Sequence, residues 1–163
     1  MTARLARSLK RSFINSESVD DLEILRVKMA FLFREIAECC KGKRVAVLGL
    51  AFKANTDDIR FAPALEVIRR LLDEGAEIHA TDPEALEKAK KQFPQVNFHQ
   101  DPYKALESAH AALVCTEWDV YKKLDWERAA KVMARKLVID GRNLYSPAKM
   151  KQLGFEYVSF GRE

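Results

Sequence analysis

The chain has 163 residues, with 28 Lys plus Arg against 24 Asp plus Glu and a formal net charge of +4. That length suits one domain with an extra element, and so small a positive excess gives no argument for a nucleic-acid partner. No apolar run reaches the roughly 18 residues of a membrane span, so no membrane partner is expected. The cysteines Cys39, Cys40 and Cys115 have no CxxC spacing, which argues against a metal site or a disulfide framework and fits a cytoplasmic protein.

Residues 1–16 are basic, with Arg4, Arg7, Lys10 and Arg11, and no apolar core follows to make a secretory signal. Leu5, Leu9 and Phe13 suit a packed helix, and a transit-like amphipathic segment is the alternative. Ser18 is placed as a helix cap with Asp21 three residues on. From Val19 to Lys41 apolar residues recur at helical spacing, through Leu22, Leu25, Met29, Leu32, Phe33, Ile36 and Cys40, until Gly42 stops the run. Such a helix is about 35 Å long at 1.5 Å per residue. It reads either as a core helix lying on a sheet or as an interdomain or dimer helix. The width of its apolar stripe leads us to expect a homodimer through Val19–Lys41. Residues 1–42 are thus read as a basic segment with a long helix, and 43–163 as the folded domain.

The stretch Arg44–Pro63 organises that domain. Val45, Ala46, Val47 and Leu48 form an unbroken apolar run, the pattern of a strand covered on both faces. Gly49 turns the chain, and Lys53, Asp57, Asp58 and Arg60 crowd charge into the following loop. Pro63 opens a helix to Glu74, where its missing N–H costs nothing. Then come strand Glu77–Thr81, helix Ala85–Phe93, strand Val96–Phe98, and a helix capped by Asp101 and ending near Ala109. Strand Ala111–Cys115, an Asp125-capped helix, strand Leu137–Asp140, a helix opened by Ser146 and Pro147, and strand Phe155–Phe160 complete the chain. This alternation predicts an α/β fold: a Rossmann-like, doubly wound, mostly parallel sheet with helices on both faces, preceded by the long helix.

Three strands end in polar clusters. In a sheet of order 3-2-1-4-5-6 the first and fourth strands flank the crevice where the order reverses, and the fifth lies beside the fourth. Lys53, Arg60 and Arg142 would then share one rim, a combination that suits a phosphate or diphosphate. Arg60 can instead pair with Asp57 or Asp58, and Glu117 with Trp118 can be a surface turn with a packing aromatic. Asp82 ends the second strand as a ribose-binding acid would. The first turn is Gly49-Leu50-Ala51-Phe52, however, without GxGxxG, so Asp82-Pro83 reads better as a turn device. His79, His99 and His110 show no ligand spacing and are expected at strand ends or on the surface.

GLAFKANTDDIRFAP, from Gly49 to Pro63, resembles the signature of the C-terminal domain in the UDP-glucose 6-dehydrogenase family, which includes the GDP-mannose dehydrogenases. Thr81-Asp82-Pro83, Thr116-Glu117-Trp118 and Asp140-Gly141-Arg142-Asn143 agree in order, and the last two look more like the UDP-glucose branch. The resemblance implies an enzyme that oxidises the sugar C6 alcohol to a carboxylate with two NAD molecules in succession. It also implies that this domain binds the UDP part and that a long central helix dimerises. It places Phe52, Lys53 and Arg142 on the nucleotide sugar, and Arg60 on NAD across the cleft.

No segment here resembles the family's glycine-rich nucleophile segment, and Cys39 and Cys40 sit near a helix C-terminus, which disfavours a thiolate. The expectation is a UDP-sugar-binding C-terminal domain, inactive alone and with no catalytic residue of its own. NAD would be bound mainly by a domain outside this chain. The alternatives are a non-catalytic nucleotide-sugar-binding or dimerisation module, and an autonomous NAD-binding domain with Asp82 on the ribose.

Overall fold

The computed structural model describes residues 40–159. Its centre is β1 (Arg44–Leu48), in which Val45 through Leu48 are all buried. An apolar side chain on every successive residue is stable only if both faces of the strand are covered. Around it stand β2 (Glu77–Thr81), β3 (Asn97–His99), β4 (Ala111–Val114), β5 (Leu137–Asp140) and β6 (Glu156–Ser159). They form one six-stranded sheet in the order β3-β2-β1-β4-β5-β6. Every pairing is parallel, so the mostly parallel sheet expected from the sequence is wholly parallel among the described residues. The chain steps one way from β1 to β3 and the other way from β4 to β6. With right-handed crossovers, that reversal puts the connecting helices of the two halves on opposite faces.

The helices are α1 (Pro63–Asp73), α2 (Leu86–Gln92), α3 (Pro102–Leu106), α4 (Asp119–Lys122), α5 (Trp126–Val132) and α6 (Pro147–Gln152). Pro63 is the first residue of α1, whose Leu65, Ile68 and Leu71 are buried while Glu66 pairs outward with Arg69 and Arg70. Asp101, Asp125 and Ser146 cap α3, α5 and α6 through their side chains, each satisfying an amide that the first helical turn leaves unpaired.

Several boundaries differ from the sequence reading. The third strand starts at Asn97, one residue later than expected, and α3 stops at Leu106 with Ser108 in left-handed backbone. The single-turn helix α4 was not expected; it puts Tyr121 in the core, with its hydroxyl donating to the Thr81 carbonyl at 2.9 Å. Of the long helix expected over Val19–Lys41, nearly all lies outside the described residues, as do residues 1–16 and Phe160. Cys40 is helical and buried, and Gly42 follows at φ +66, where the helix was expected to stop.

Gly49 is the position where the fold requires glycine. Its φ is +99, and a Cβ there would lie 2.6 Å from the Cβ of Thr116 and 2.8 Å from its backbone nitrogen. The β1 and β4 exits therefore approach so closely that only a hydrogen fits. Gly49→Ala is expected to destabilise the domain by about 2–4 kcal/mol, from left-handed strain plus overpacking. Urea unfolding should show a lower midpoint with an unchanged slope.

Candidate functional site

All strands run in parallel, so the segments leaving β1, β2, β4 and β5 emerge at one edge of the sheet. Two buried carboxylates hold them there. Asp82, 1% exposed, follows β2. Its Oδ2 accepts from the amides of Leu50 and Ala51 at 2.8 and 3.0 Å and from the Trp118 indole at 3.2 Å. Its Oδ1 accepts from the amides of Glu84 and Ala85 at 2.9 and 2.8 Å. One side chain thus ties the exits of β1, β2 and β4 together. Asp140 does the same at the end of β5: Oδ1 takes the Arg142 amide at 2.9 Å, and Oδ2 takes the amides of Leu144 and Tyr145 and the Tyr157 hydroxyl. A buried carboxylate is costly unless saturated in this way. Thr116 adds a third tie, its hydroxyl donating to the Ala51 carbonyl at 2.8 Å.

On this frame sit the residues singled out from the sequence. Phe52 is half-buried against the core, and its amide donates to the Asp58 carbonyl at 2.8 Å. Lys53 is exposed and has no ion-pair partner among the described residues. Arg60 is 82% exposed along its side chain, but it grips Asp58 through Nε at 3.0 Å and Nη2 at 2.8 Å. This is the pairing that the sequence left open, with Asp58 as the partner; Asp57 meets Lys88 instead. Hydrogen bonds from the Arg60 side chain and backbone hold the Asp58 carboxyl far below its ordinary value. The Arg142 guanidinium forms an ion pair with Glu117 across the tips of β5 and β4, the two side chains being 26% and 31% exposed. Glu117 is therefore no mere surface turn, and sequence reasoning missed its pairing with Arg142. The only signal in the sequence was that TEW and DGRN each follow a buried strand.

Both cysteines among the described residues are buried. Burial pushes the Cys115 thiol up to about 12, against a weaker opposing pull from Arg142. Cys40 is buried, and Cys39 lies outside the described residues. His99 ends β3, one of the places expected for the histidines, whereas His79 is buried within β2. Glu77 Oε1 meets His79 Nε2 at 2.7 Å, and His79 Nδ1 meets His99 Nε2 at 2.7 Å, in a chain running from β2 to β3. Burial, with His79 adding to it, moves the His99 imidazole down, towards the neutral form. A shallow groove of about 370 Å³ lined by Lys90, Pro94, Val96, Asn97, Phe98 and His99 includes none of Phe52, Lys53, Arg60 and Arg142.

Asp82 has no oxygen left without a donor to offer a ribose. Both oxygens of Asp82, the one acid placed for a ribose, are occupied by N–H donors of the protein itself. That occupancy counts against the ribose role given to Asp82 in the reading of an autonomous NAD-binding domain.

Residues 46–147 match the model of the UDP-glucose/GDP-mannose dehydrogenase family, UDP binding domain. The chain belongs to this family. It is 41% identical over 122 residues to the UDP-glucose 6-dehydrogenase of Rhizobium meliloti, covering 75% of this chain and 28% of that protein. Over 169 residues it is 35% identical to the UDP-glucose 6-dehydrogenase of Pseudomonas aeruginosa, covering 97% of this chain and 37% of the relative. The UDP-glucose dehydrogenase structure from the archaeon Pyrobaculum islandicum superposes with a TM-score of 0.66 at 33% identity, over 84% of this chain and 29% of that one. The chain thus spans little more than a third of these relatives' length at most. The match includes both aspartate clamps and all four residues singled out from the sequence. The clamps are expected to support the fold first: Asp82→Asn should cost about 2–4 kcal/mol by leaving buried N–H donors facing an amide nitrogen. Thermal melting followed by circular dichroism measures that loss.

Proposed function

We propose that this chain is the substrate-holding domain of an NAD-dependent UDP-glucose 6-dehydrogenase, which oxidises UDP-glucose to UDP-glucuronate. The observation that carries the proposal is the family match over residues 46–147, which contains Lys53 and Arg142 on loops leaving one edge of the sheet. In this reading Lys53 supplies a point charge to the diphosphate, Arg142 offers its guanidinium, and Phe52 packs against the nucleotide sugar. Arg60 reaches towards NAD held by another domain, a role supported by its exposure, although Asp58 must share it. The buried clamps beneath the loops hold these groups in place before ligand arrives. Anchoring the nucleotide then positions the sugar C6 for chemistry performed elsewhere in the enzyme. The domain itself supplies no nucleophile in this reading. Residues 1–42 form its basic segment and dimerising helix, and residues 43–163 its ligand-binding unit.

Calorimetric titration of UDP into the chain tests the ligand. Lys53→Ala and Arg142→Ala are each expected to weaken binding roughly ten-fold or more, the usual effect of losing a charge-assisted phosphate contact. Absence of heat with the unaltered chain overturns the proposal. Sedimentation at micromolar concentration tests the Val19–Lys41 interface, with a dimer expected and a monomer contradicting it.

A further inference from the structure

The cationic rim is much less positive than its three basic residues suggest. Arg60 is compensated by Asp58 and Arg142 by Glu117, which leaves Lys53 as the one of the three without a carboxylate among the described residues. Asp58 already has its own arginine within two residues of sequence, on the same loop. Glu117 is different. It comes from the β4 exit and meets an arginine from the β5 exit, so the pair exists only because the two strands are neighbours. The Arg142 backbone is independently fixed, its amide bound to Asp140 at 2.9 Å. The loop therefore does not need Glu117 for its conformation, and the effect of the carboxylate falls on the charge of the guanidinium. The contact to Glu117 is made through the terminal nitrogen Nη2.

We propose that Glu117 is a specificity-determining residue that sets the charge balance of this site in favour of a nucleoside diphosphate sugar over the free nucleoside diphosphate. The inference rests on the proposed UDP-sugar function of the same rim. A nucleotide sugar carries a diphosphate diester with two charges. Free UDP ends in a monoester that takes a further charge above the second phosphate pKa of about 6. With Lys53 and Arg142 both uncompensated, the more highly charged free nucleotide would gain most from the rim. A carboxylate on Arg142 removes one unit of that attraction, and the loss is larger for the ligand with more charge. The enzyme would then be less occupied by nucleotide that has lost its sugar. Because the pair is half-exposed, water moderates the effect without abolishing it.

The test is competitive calorimetry on the full chain with UDP and with UDP-glucose, above the second phosphate pKa. Glu117→Gln keeps the shape and a hydrogen-bond acceptor for Arg142 but removes the charge. It is expected to shift the affinity ratio towards UDP by roughly three- to ten-fold, the scale of one charge acting across a wet rim. Glu117→Ala provides a second neutral variant with the same expected direction, and Glu117→Asp is expected to retain the unaltered ratio. Circular dichroism melting accompanies each variant. Binding of both ligands with an unchanged ratio in the neutral variants overturns the inference and leaves the UDP-sugar function standing. An equal shift in Glu117→Asp overturns it too, since shape and not charge would be responsible. No binding of either ligand to the unaltered chain overturns both.

Discussion

A carboxylate sealed inside a protein must be surrounded by donors, and here two such groups define the working edge of the sheet. Asp82 gathers amides from the β1 and β2 exits and the indole from the β4 exit. Asp140 gathers the amides and the tyrosine that shape the β5 exit. Each satisfies several backbone groups that a loop leaving a parallel sheet would otherwise bury unpaired. The loops are thereby stiff where they leave the sheet and project their charged side chains from fixed positions. Gly49 and Thr116 meet at the same edge because β1 and β4 are paired as far as Leu48 and Val114.

The rim built on that frame is a balanced set of charges. Lys53 and Arg60 come from the β1 exit and Arg142 from the β5 exit, and two of the three meet carboxylates. One pairing is local, Arg60 with Asp58, and the other crosses strands, Arg142 with Glu117. In the proposed function, such balance suits a defined anion better than a general cationic surface would. A net charge of +4 over the chain gives little non-specific attraction. Selectivity must then come from a few groups held in register, which is what preorganised loops provide.

Much of the site was legible in the sequence because its signals are local. The motif from Gly49 to Pro63 has a buried strand, a turn, a polar loop and a proline helix start in uninterrupted order, and each part announces itself through residue type. Asp58 pairs with Arg60 two residues away, a partnership within reach of sequence reasoning. Asp82 was read as a turn former, and its amide contacts to Glu84 and Ala85 are that turn. Its contacts to Leu50, Ala51 and Trp118 span more than thirty positions and had no sequence signal. The chain from Glu77 through His79 to His99 was hidden for a related reason: its His79–His99 link joins neighbouring strands, while histidines were judged by ligand spacing along the chain.

The sequence by itself determined the alternation of strands and helices, the parallel sheet and its order, because periodicity and capping are properties of consecutive residues and right-handed crossovers leave few topologies. It also named the basic residues of the rim, since charge at a strand exit is visible wherever the strand can be recognised. Only the tertiary structure decided which of those charges stand alone. Strand adjacency brings Glu117 to Arg142 and Trp118 to Asp82 from loops distant in the chain, and Coulomb and hydrogen-bond energies depend on separation in space, which sequence spacing does not fix.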